Sequence, residues 1–109
     1  MASVTAIEEL RRSPTAALFQ GRDEAPVSIF VTVYERGQGP SLHLHPYPEV
    51  FVVEAGTAVF TAGDEELVVT EGHIVVVPAQ TPHGYKNPAD ETLRVVSVHA
   101  SPTVRQTDL

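Results

Sequence analysis

The sequence predicts an all-β protein, a small antiparallel β-barrel of eight or more short strands with a short N-terminal arm and almost no helix. The first observation is that the apolar segments are rich in Val, Ile, Phe, Tyr and Thr and show little helical periodicity. The second is that turn signals built from Gly, Pro, Asn and Asp recur at the spacing typical of sandwiches and barrels. The third is the length, because 109 residues make one domain with its own core.

Composition excludes several function classes. The chain has 14 acidic and 7 basic residues and a formal charge of −7, so neither nucleic acid nor an anionic membrane is an expected partner. There are no cysteines, which excludes disulfides and thiolate chemistry and leaves histidine and carboxylate as the strong metal ligands. No apolar run reaches the length of a signal peptide or a membrane span, and a cytoplasmic location is expected.

The first 20 residues are expected to form an arm or a short helix, and residues 21–109 a single domain. Thr5 and Glu8 have the spacing of a capping box, and Pro14 ends any such helix. The β-branched and aromatic run at residues 27–34 predicts the first clear strand of the domain. Further strands are predicted at residues 49–53, 57–62, 66–70, 73–77 and 93–100.

Two of these strands are apolar on both faces. Residues 50–53 and 74–77 contain only Val, Phe and Ile, whereas a strand with one solvated face should alternate. We therefore expect the outer face of these strands to be covered, either by the N-terminal arm or by a second subunit. A homodimer is the expected form of the protein.

The candidate site begins in residues 37–56. His43 and His45 are two residues apart, so on an extended strand their side chains project from the same face. Glu49 follows a Pro-Tyr-Pro break and is expected on a neighbouring strand, close to both imidazoles. His83 follows a proline-bounded turn and is expected to complete the site from the far side of the barrel. Imidazoles with a carboxylate are ligands for a divalent metal ion.

The residues around these positions resemble the two motifs of the cupin superfamily. The first motif is Gly, five residues, His-x-His, three or four residues, Glu, six residues, Gly, and it is met in full by Gly37, His43, His45, Glu49 and Gly56. The resemblance implies the double-stranded β-helix of the family, a barrel of jelly-roll type.

The second motif is Gly, five residues, Pro-x-Gly, two residues, His, three residues, Asn. Gly72, Pro78, His83 and Asn87 meet it, whereas Gln80 stands where the family has glycine. Because that glycine suits a turn with positive φ, the glutamine is expected to adopt this conformation at some cost or to change the loop before His83.

The resemblance implies one divalent metal ion, which could be Fe, Mn, Zn, Ni, Co or Cu, bound by His43, His45, Glu49 and His83. Three neutral imidazoles and one carboxylate leave a divalent ion at net +1, and an octahedral ion would keep two positions open. A metal-dependent enzyme of oxygenase type acting on a small organic molecule is the expected function. The alternatives are a non-redox isomerase, cyclase or lyase, and a cupin that binds a small ligand without transforming it.

Three residues are candidates for catalysis. Glu49 could leave the metal and act as a general base, although ligation is the favoured role. Tyr85 shares the face of His83, so its hydroxyl could reach a substrate or could pack in the barrel. His99 ends a row of alternate residues and could face inward as a proton donor or lie at the rim. Tyr47, inside the Pro-Tyr-Pro break, is expected to be a surface loop residue.

Overall fold

The computed structural model describes all 109 residues as ten short strands and one turn of 3₁₀ helix at Ile7–Leu10. The strands form two five-stranded antiparallel sheets with the orders β1-β2-β9-β4-β7 and β10-β3-β8-β5-β6. The strands are β1 (Ala16–Gln20), β2 (Ser28–Tyr34), β3 (His43–Leu44), β4 (Glu49–Ala55), β5 (Thr57–Ala62), β6 (Glu65–Thr70), β7 (His73–Val77), β8 (His83–Lys86), β9 (Leu93–His99) and β10 (Thr107–Asp108).

The predicted all-β fold is confirmed. Hydrogen bonds do not join the two sheets into one closed cylinder, so the barrel is a pair of sheets with the core between them. The strands predicted at residues 57–62 and 73–77 have the predicted bounds, and the other strands agree within one or two residues at each end. The β5–β6 hairpin fills the stretch between the two motifs.

The core forms where alternate residues of both sheets point inward. On β4, Glu49, Phe51 and Val53 are buried, while the residues between them are only half-buried. Phe60 on β5 is fully buried and packs against Phe51 and Tyr85, with ring centroids 5.0 and 4.7 Å apart. Apolar packing therefore fills one half of the space between the sheets and leaves the polar inward residues in the other half.

The N-terminal residues lie along the β1 edge of the first sheet. The predicted capping box is wrong, because the 3₁₀ helix begins after Ala6 and no side chain caps it. The last five residues of the expected arm form β1, which pairs along its whole length with β2. No helix of the chain has both the length and the apolar character needed to cross a membrane.

The C-terminal segment crosses from the first sheet to the second. After β9 the chain passes over the open end between the sheets, and β10 then pairs with β3 through Thr107 opposite Leu44 and Asp108 opposite His43. The short β3 thus has a neighbour on each side, β10 and β8. This crossing brings the backbone of Arg105 to the ring of His45.

Candidate metal centre

The two sheets supply the candidate ligands from opposite sides. The expectation that Glu49 lies on a strand neighbouring His43 is wrong: β3 pairs with β8 and β10 in the second sheet, whereas β4 pairs with β7 and β9 in the first. Residues 46–48 carry the chain between the sheets, since proline cannot continue a ladder of hydrogen bonds. The far-side position expected for His83 is also wrong, because His83 pairs directly with His43.

Four of these side chains form a buried cluster that could hold a metal ion. His43, His45, Glu49 and His83 are each 1–7% exposed, and one ligand atom from each lies within 4.8 Å of the others. His45 lies one residue beyond β3, and its ring reaches the cluster from the start of the crossing segment. The structure therefore brings together the four residues that the two motifs select.

The three imidazoles share one orientation. In each ring Nδ1 lies within hydrogen-bond distance of a backbone carbonyl, which can only accept, so Nδ1 carries the proton and donates it. The lone pair of a neutral ring is then on Nε2, which faces the cluster. The three pairs are His43 with Ser41 O at 2.6 Å, His45 with Arg105 O at 2.7 Å, and His83 with Thr81 O at 2.8 Å.

This orientation leaves a gap that a cation fits. Oε1 of Glu49 lies 3.1 Å from Nε2 of His45 and 3.0 Å from Nε2 of His83. Because Nδ1 of both rings already donates, each neutral Nε2 would direct a lone pair at a carboxylate oxygen unless a proton or a metal ion lies between them. Nε2 of His45 is buried and has no hydrogen-bond partner. The donor set is that of a divalent metal site.

The pKa values of the cluster follow from burial and from these contacts. Burial raises the pKa of Glu49, but the imidazoles of His45, His83 and His99 at 3.0–3.1 Å outweigh it and hold that pKa well below its usual range. Burial lowers the pKa of His43, and the other imidazoles add to the effect. Burial also acts to lower the pKa of His45, but the adjacent Glu49 carboxylate and the Arg105 carbonyl leave this pKa raised. A charged carboxylate is therefore the stable form at the centre.

A fourth imidazole touches the cluster without belonging to it. His99 is 1% exposed and faces inward, with Nε2 3.0 Å from Oε2 of Glu49 and Nδ1 2.7 Å from the Tyr47 hydroxyl. The expectation that Tyr47 is a surface loop residue is wrong, because its ring stacks on that of His45 at 5.0 Å and is buried. Nothing in the local sequence indicates this burial, because a residue between two prolines usually lies in an exposed loop.

A cavity of about 210 Å³ lies beside the cluster, between the two sheets. Tyr85 lines it, and its hydroxyl lies 3.2 Å from that of Thr32, which donates to Val95 O at 3.0 Å. The Tyr85 hydroxyl must then donate to Thr32, and burial raises the pKa of Tyr85 far above its usual value. Phe30 and Phe51 form apolar parts of the wall, and Ser97, His99 and Gln106 form polar parts.

Gln80 keeps the backbone shape of the glycine that it replaces. Its φ is 60°, in the left-handed region, as the second motif requires. Its N–H donates to the His45 carbonyl at 2.7 Å, so the loop before His83 is tied to the histidine on the facing turn. The departure from the motif therefore leaves the turn intact and the ligand in place.

Comparisons with known proteins identify the family. A family model described as "Cupin domain" matches residues 30–99. An uncharacterized protein of Streptomyces coelicolor is 31% identical over 96 residues, which are 88% of this chain and 90% of that protein. Mannose-1-phosphate guanylyltransferase of Salmonella muenchen is 32% identical over 68 residues, which are 62% of this chain and only 14% of that enzyme.

Solved structures show the same fold. A protein with a double-stranded β-helix domain from Klebsiella pneumoniae superposes with a TM-score of 0.78 at 21% identity, over 95% of this chain and 88% of that chain. Bacillus subtilis oxalate decarboxylase, an enzyme with Mn(II) centres, superposes with a TM-score of 0.80 at 18% identity, over 90% of this chain and 29% of that chain. At these identities the likeness shows the fold alone. By its sequence, its two motifs and its double-stranded β-helix, the chain belongs to the cupin family.

Proposed function

We propose that this cupin binds one divalent metal ion through His43, His45, Glu49 and His83 and uses it in an oxygenase-type reaction on a small organic molecule. The observation that carries the proposal is the common orientation of the three imidazoles. Nδ1 of each ring faces a backbone carbonyl, Nε2 of His45 and of His83 lies 3.0–3.1 Å from Oε1 of the buried Glu49, and Nε2 of His45 has no hydrogen-bond partner. A cluster that had lost metal binding would have no reason to keep four buried polar side chains so arranged.

The donor set limits which metal ions could bind and which reactions they could support, but it does not identify the ion. Three nitrogens and one oxygen suit Fe, Mn, Co, Ni, Cu and Zn, and when bound such an ion would supply Lewis acidity or, for Fe and Mn, reactivity toward oxygen. Among solved proteins of the same fold, oxalate decarboxylase has Mn(II) centres and oxalate oxidase is an oxidase, so we choose Mn as the first ion and an oxidative reaction as the first reaction to test. Both are proposals for this chain.

The cavity limits the size and the polarity of the substrate. A volume of about 210 Å³ admits a small molecule, and its walls offer both aromatic surface and a few polar groups. In this proposal Phe30 and Phe51 bind the apolar part, and Ser97 and Gln106 face its polar part. Tyr85 acts as a neutral hydrogen-bonding group, because its raised pKa disfavours the phenolate.

Glu49 is proposed to act as a ligand rather than as a mobile base. The carboxylate is 3% exposed and is contacted by three imidazoles at 3.0–3.1 Å, so leaving the ion would break several buried contacts at once. His99 contacts the oxygen that faces away from the other two imidazoles. A catalytic role for His99 or Tyr85 stays a prediction.

The test is oxygen consumption by protein loaded with Fe²⁺ or Mn²⁺. We expect uptake with at least one member of a panel of enediols, β-diketones, flavonols and small carboxylic acids including oxalate, and none in His83→Ala. Turnover that persists without oxygen would instead select a non-redox isomerase, cyclase or lyase. Recovery of every compound unchanged, with saturable binding of one of them, would select a ligand-binding cupin and overturn the enzymatic proposal. The cytoplasmic location stays a prediction.

A further inference from the structure

One backbone residue in the C-terminal segment serves two of the central imidazoles. The carbonyl of Arg105 accepts from Nδ1 of His45 at 2.7 Å, and the N–H of the same residue donates to the Tyr47 hydroxyl at 3.1 Å. The hydroxyl in turn lies 2.7 Å from Nδ1 of His99. The Arg105 side chain itself is exposed, so the site uses its backbone alone.

These contacts fix the tautomer of His99. Oε2 of the Glu49 carboxylate can only accept and lies 3.0 Å from Nε2 of His99, so the proton of the neutral ring lies on Nε2. Nδ1 is then the unprotonated nitrogen and accepts from the Tyr47 hydroxyl at 2.7 Å. The Tyr47 oxygen in turn accepts from the Arg105 N–H at 3.1 Å. His99 thus has the opposite tautomer to the three proposed ligands.

We propose that Tyr47, His99 and the Arg105 backbone form a positioning network that makes Glu49 a one-oxygen ligand. His99 holds Oε2, and Oε1 is left facing Nε2 of His45 and of His83. Because Nε2 of His99 carries a proton, it has no free lone pair, and this fourth imidazole is not a metal ligand. The positioning role rests on the proposed metal function. The hydrogen bonds themselves do not depend on a metal ion.

The tautomer is measured first, by long-range ¹H–¹⁵N correlation on the metal-free protein. We expect the proton of His99 on Nε2 in the wild type. In Tyr47→Phe, Nδ1 loses its donor, so a population with the proton on Nδ1 is expected. A wild-type ring with its proton on Nδ1 would overturn the network, whatever the protein does with metals.

The Zn²⁺ affinity is then measured by calorimetry. Groups that orient a ligand are worth about 10–100-fold in metal affinity, and we expect a loss in that range for Tyr47→Phe and His99→Leu. His99→Gln should recover most of the affinity, because its amide N–H lies as many bonds from Cα as Nε2 of histidine. Thr103→Ala, an exposed change in the same segment, should leave the affinity unchanged.

Each outcome separates the two proposals. If the wild type binds no Zn²⁺, the proposed metal function fails while the tautomer result stands. If the wild type binds Zn²⁺ and His99→Gln is no better than His99→Leu, the ring only fills space and the positioning role is refuted. If Tyr47→Phe keeps the wild-type affinity, the hydroxyl does not position Glu49.

A separate observation concerns the outer face of the first sheet. The register of β2, β9, β4 and β7 aligns outward residues into two rows that run across the sheet. Every residue of both rows is Val or Ile, and all are half-buried or exposed. The rows are Ile29, Val98, Val50 and Val76, and Val31, Val96, Val52 and Ile74.

The N-terminal arm does not cover these rows at β4 and β7. It lies at the opposite edge of the sheet, over Phe19, Ile29 and Val31, where a cavity of about 420 Å³ separates it from the strands. At the β7 edge Ile74 is 64% and Val76 62% exposed. The sequence led us to expect that either the arm or a second subunit covers β4 and β7. The arm does not, so a second subunit is the remaining candidate.

We propose that a second copy of this chain packs on this face. Chains with a charge of −7 repel each other, and the two rows form an uncharged surface on which two copies can meet. The six of these side chains that lie on β9, β4 and β7 cover roughly 200 Å² of sheet at the usual strand spacing, which would form the apolar centre of an interface of ~800 Å² per partner. Ile7 of the arm is half exposed and lies beside this surface, next to Ile29 and Val31.

Sedimentation equilibrium tests the second proposal. We expect a dimer at micromolar concentration for the wild type, and a monomer with unchanged circular dichroism for Ile74→Glu, because this exposed side chain is not needed to fold one chain. Thr61→Glu, on the outer face of β5 in the other sheet, should remain a dimer. A wild-type monomer at ~100 µM, or an Ile74→Glu variant that remains fully dimeric, would overturn it.

Discussion

Replacing Glu49 by glutamine should remove most of the stabilisation that a metal ion gives this protein. At a free metal concentration of 100 times the dissociation constant, an ion that binds only the folded state stabilises it by about 2.7 kcal/mol. At about 4 °C per kcal/mol for a domain of 109 residues, the wild type should gain about 11 °C in Tm. Glu49 is the only charged member of the four candidate ligands and is 3% exposed.

The variant keeps the shape of the side chain and loses its charge. Mutation of groups that merely orient ligands costs 10–100-fold in affinity, so the loss here should be about 100-fold or more. At the same metal concentration the variant would then be at most half saturated, which leaves about 0.4 kcal/mol, or a gain of about 2 °C in Tm.

The assay is thermal unfolding with and without Zn²⁺ or Mn²⁺, followed by circular dichroism. Glu54→Gln is the matched control, because Glu54 lies on the same strand but is exposed on the outer face. It should keep the full gain of about 11 °C. Equal gains for Glu49→Gln and the wild type would refute the assignment of this carboxylate as a ligand.

Three further predictions concern pH, the core and the turn before β3. Zn²⁺ affinity measured by calorimetry should fall as pH falls through the imidazole range, and the fall should begin above the usual histidine pKa, since a proton competes with the ion for His45, whose pKa is raised. Phe60→Ala removes a fully buried ring and should lower the free energy of unfolding in urea by about 3–5 kcal/mol. Gly39→Ala would place Cβ 2.0 Å from the Tyr85 carbonyl, so it should shift β8 and yield a less stable protein with a lower Tm; an unchanged Tm would contradict this packing.

Much of the fold could be predicted because its signals are local. The β-branched runs predicted strands such as β5 and β7 at their observed bounds, and the glycines and prolines between them marked the turns. The pairing of strands could not be predicted, because it depends on contacts distant in the chain. The pairing of β3 with β8 and β10, rather than with β4, put Glu49 in the opposite sheet and His83 beside His43.

The candidate metal centre could likewise be predicted only in part. The four clustered side chains were predicted, because their spacing in the two motifs can be read from the sequence without knowing which strands pair. The contribution of Arg105 had no signal in the sequence, since any residue can offer a backbone N–H and C=O. Tyr47 was misplaced because a residue between two prolines is usually exposed, whereas here stacking on His45 buries it.

Metal binding by the four clustered side chains is tested by elemental analysis of the protein purified without added metal. The wild type should carry close to one equivalent of a divalent transition metal, and His43→Ala and His83→Ala should carry far less while remaining folded by circular dichroism. His73→Ala, a change of an exposed histidine outside the cluster, should carry as much metal as the wild type. If the wild type and the cluster variants carry equally little metal, even after incubation with Mn²⁺, Fe²⁺ or Zn²⁺, these four residues do not form a metal site.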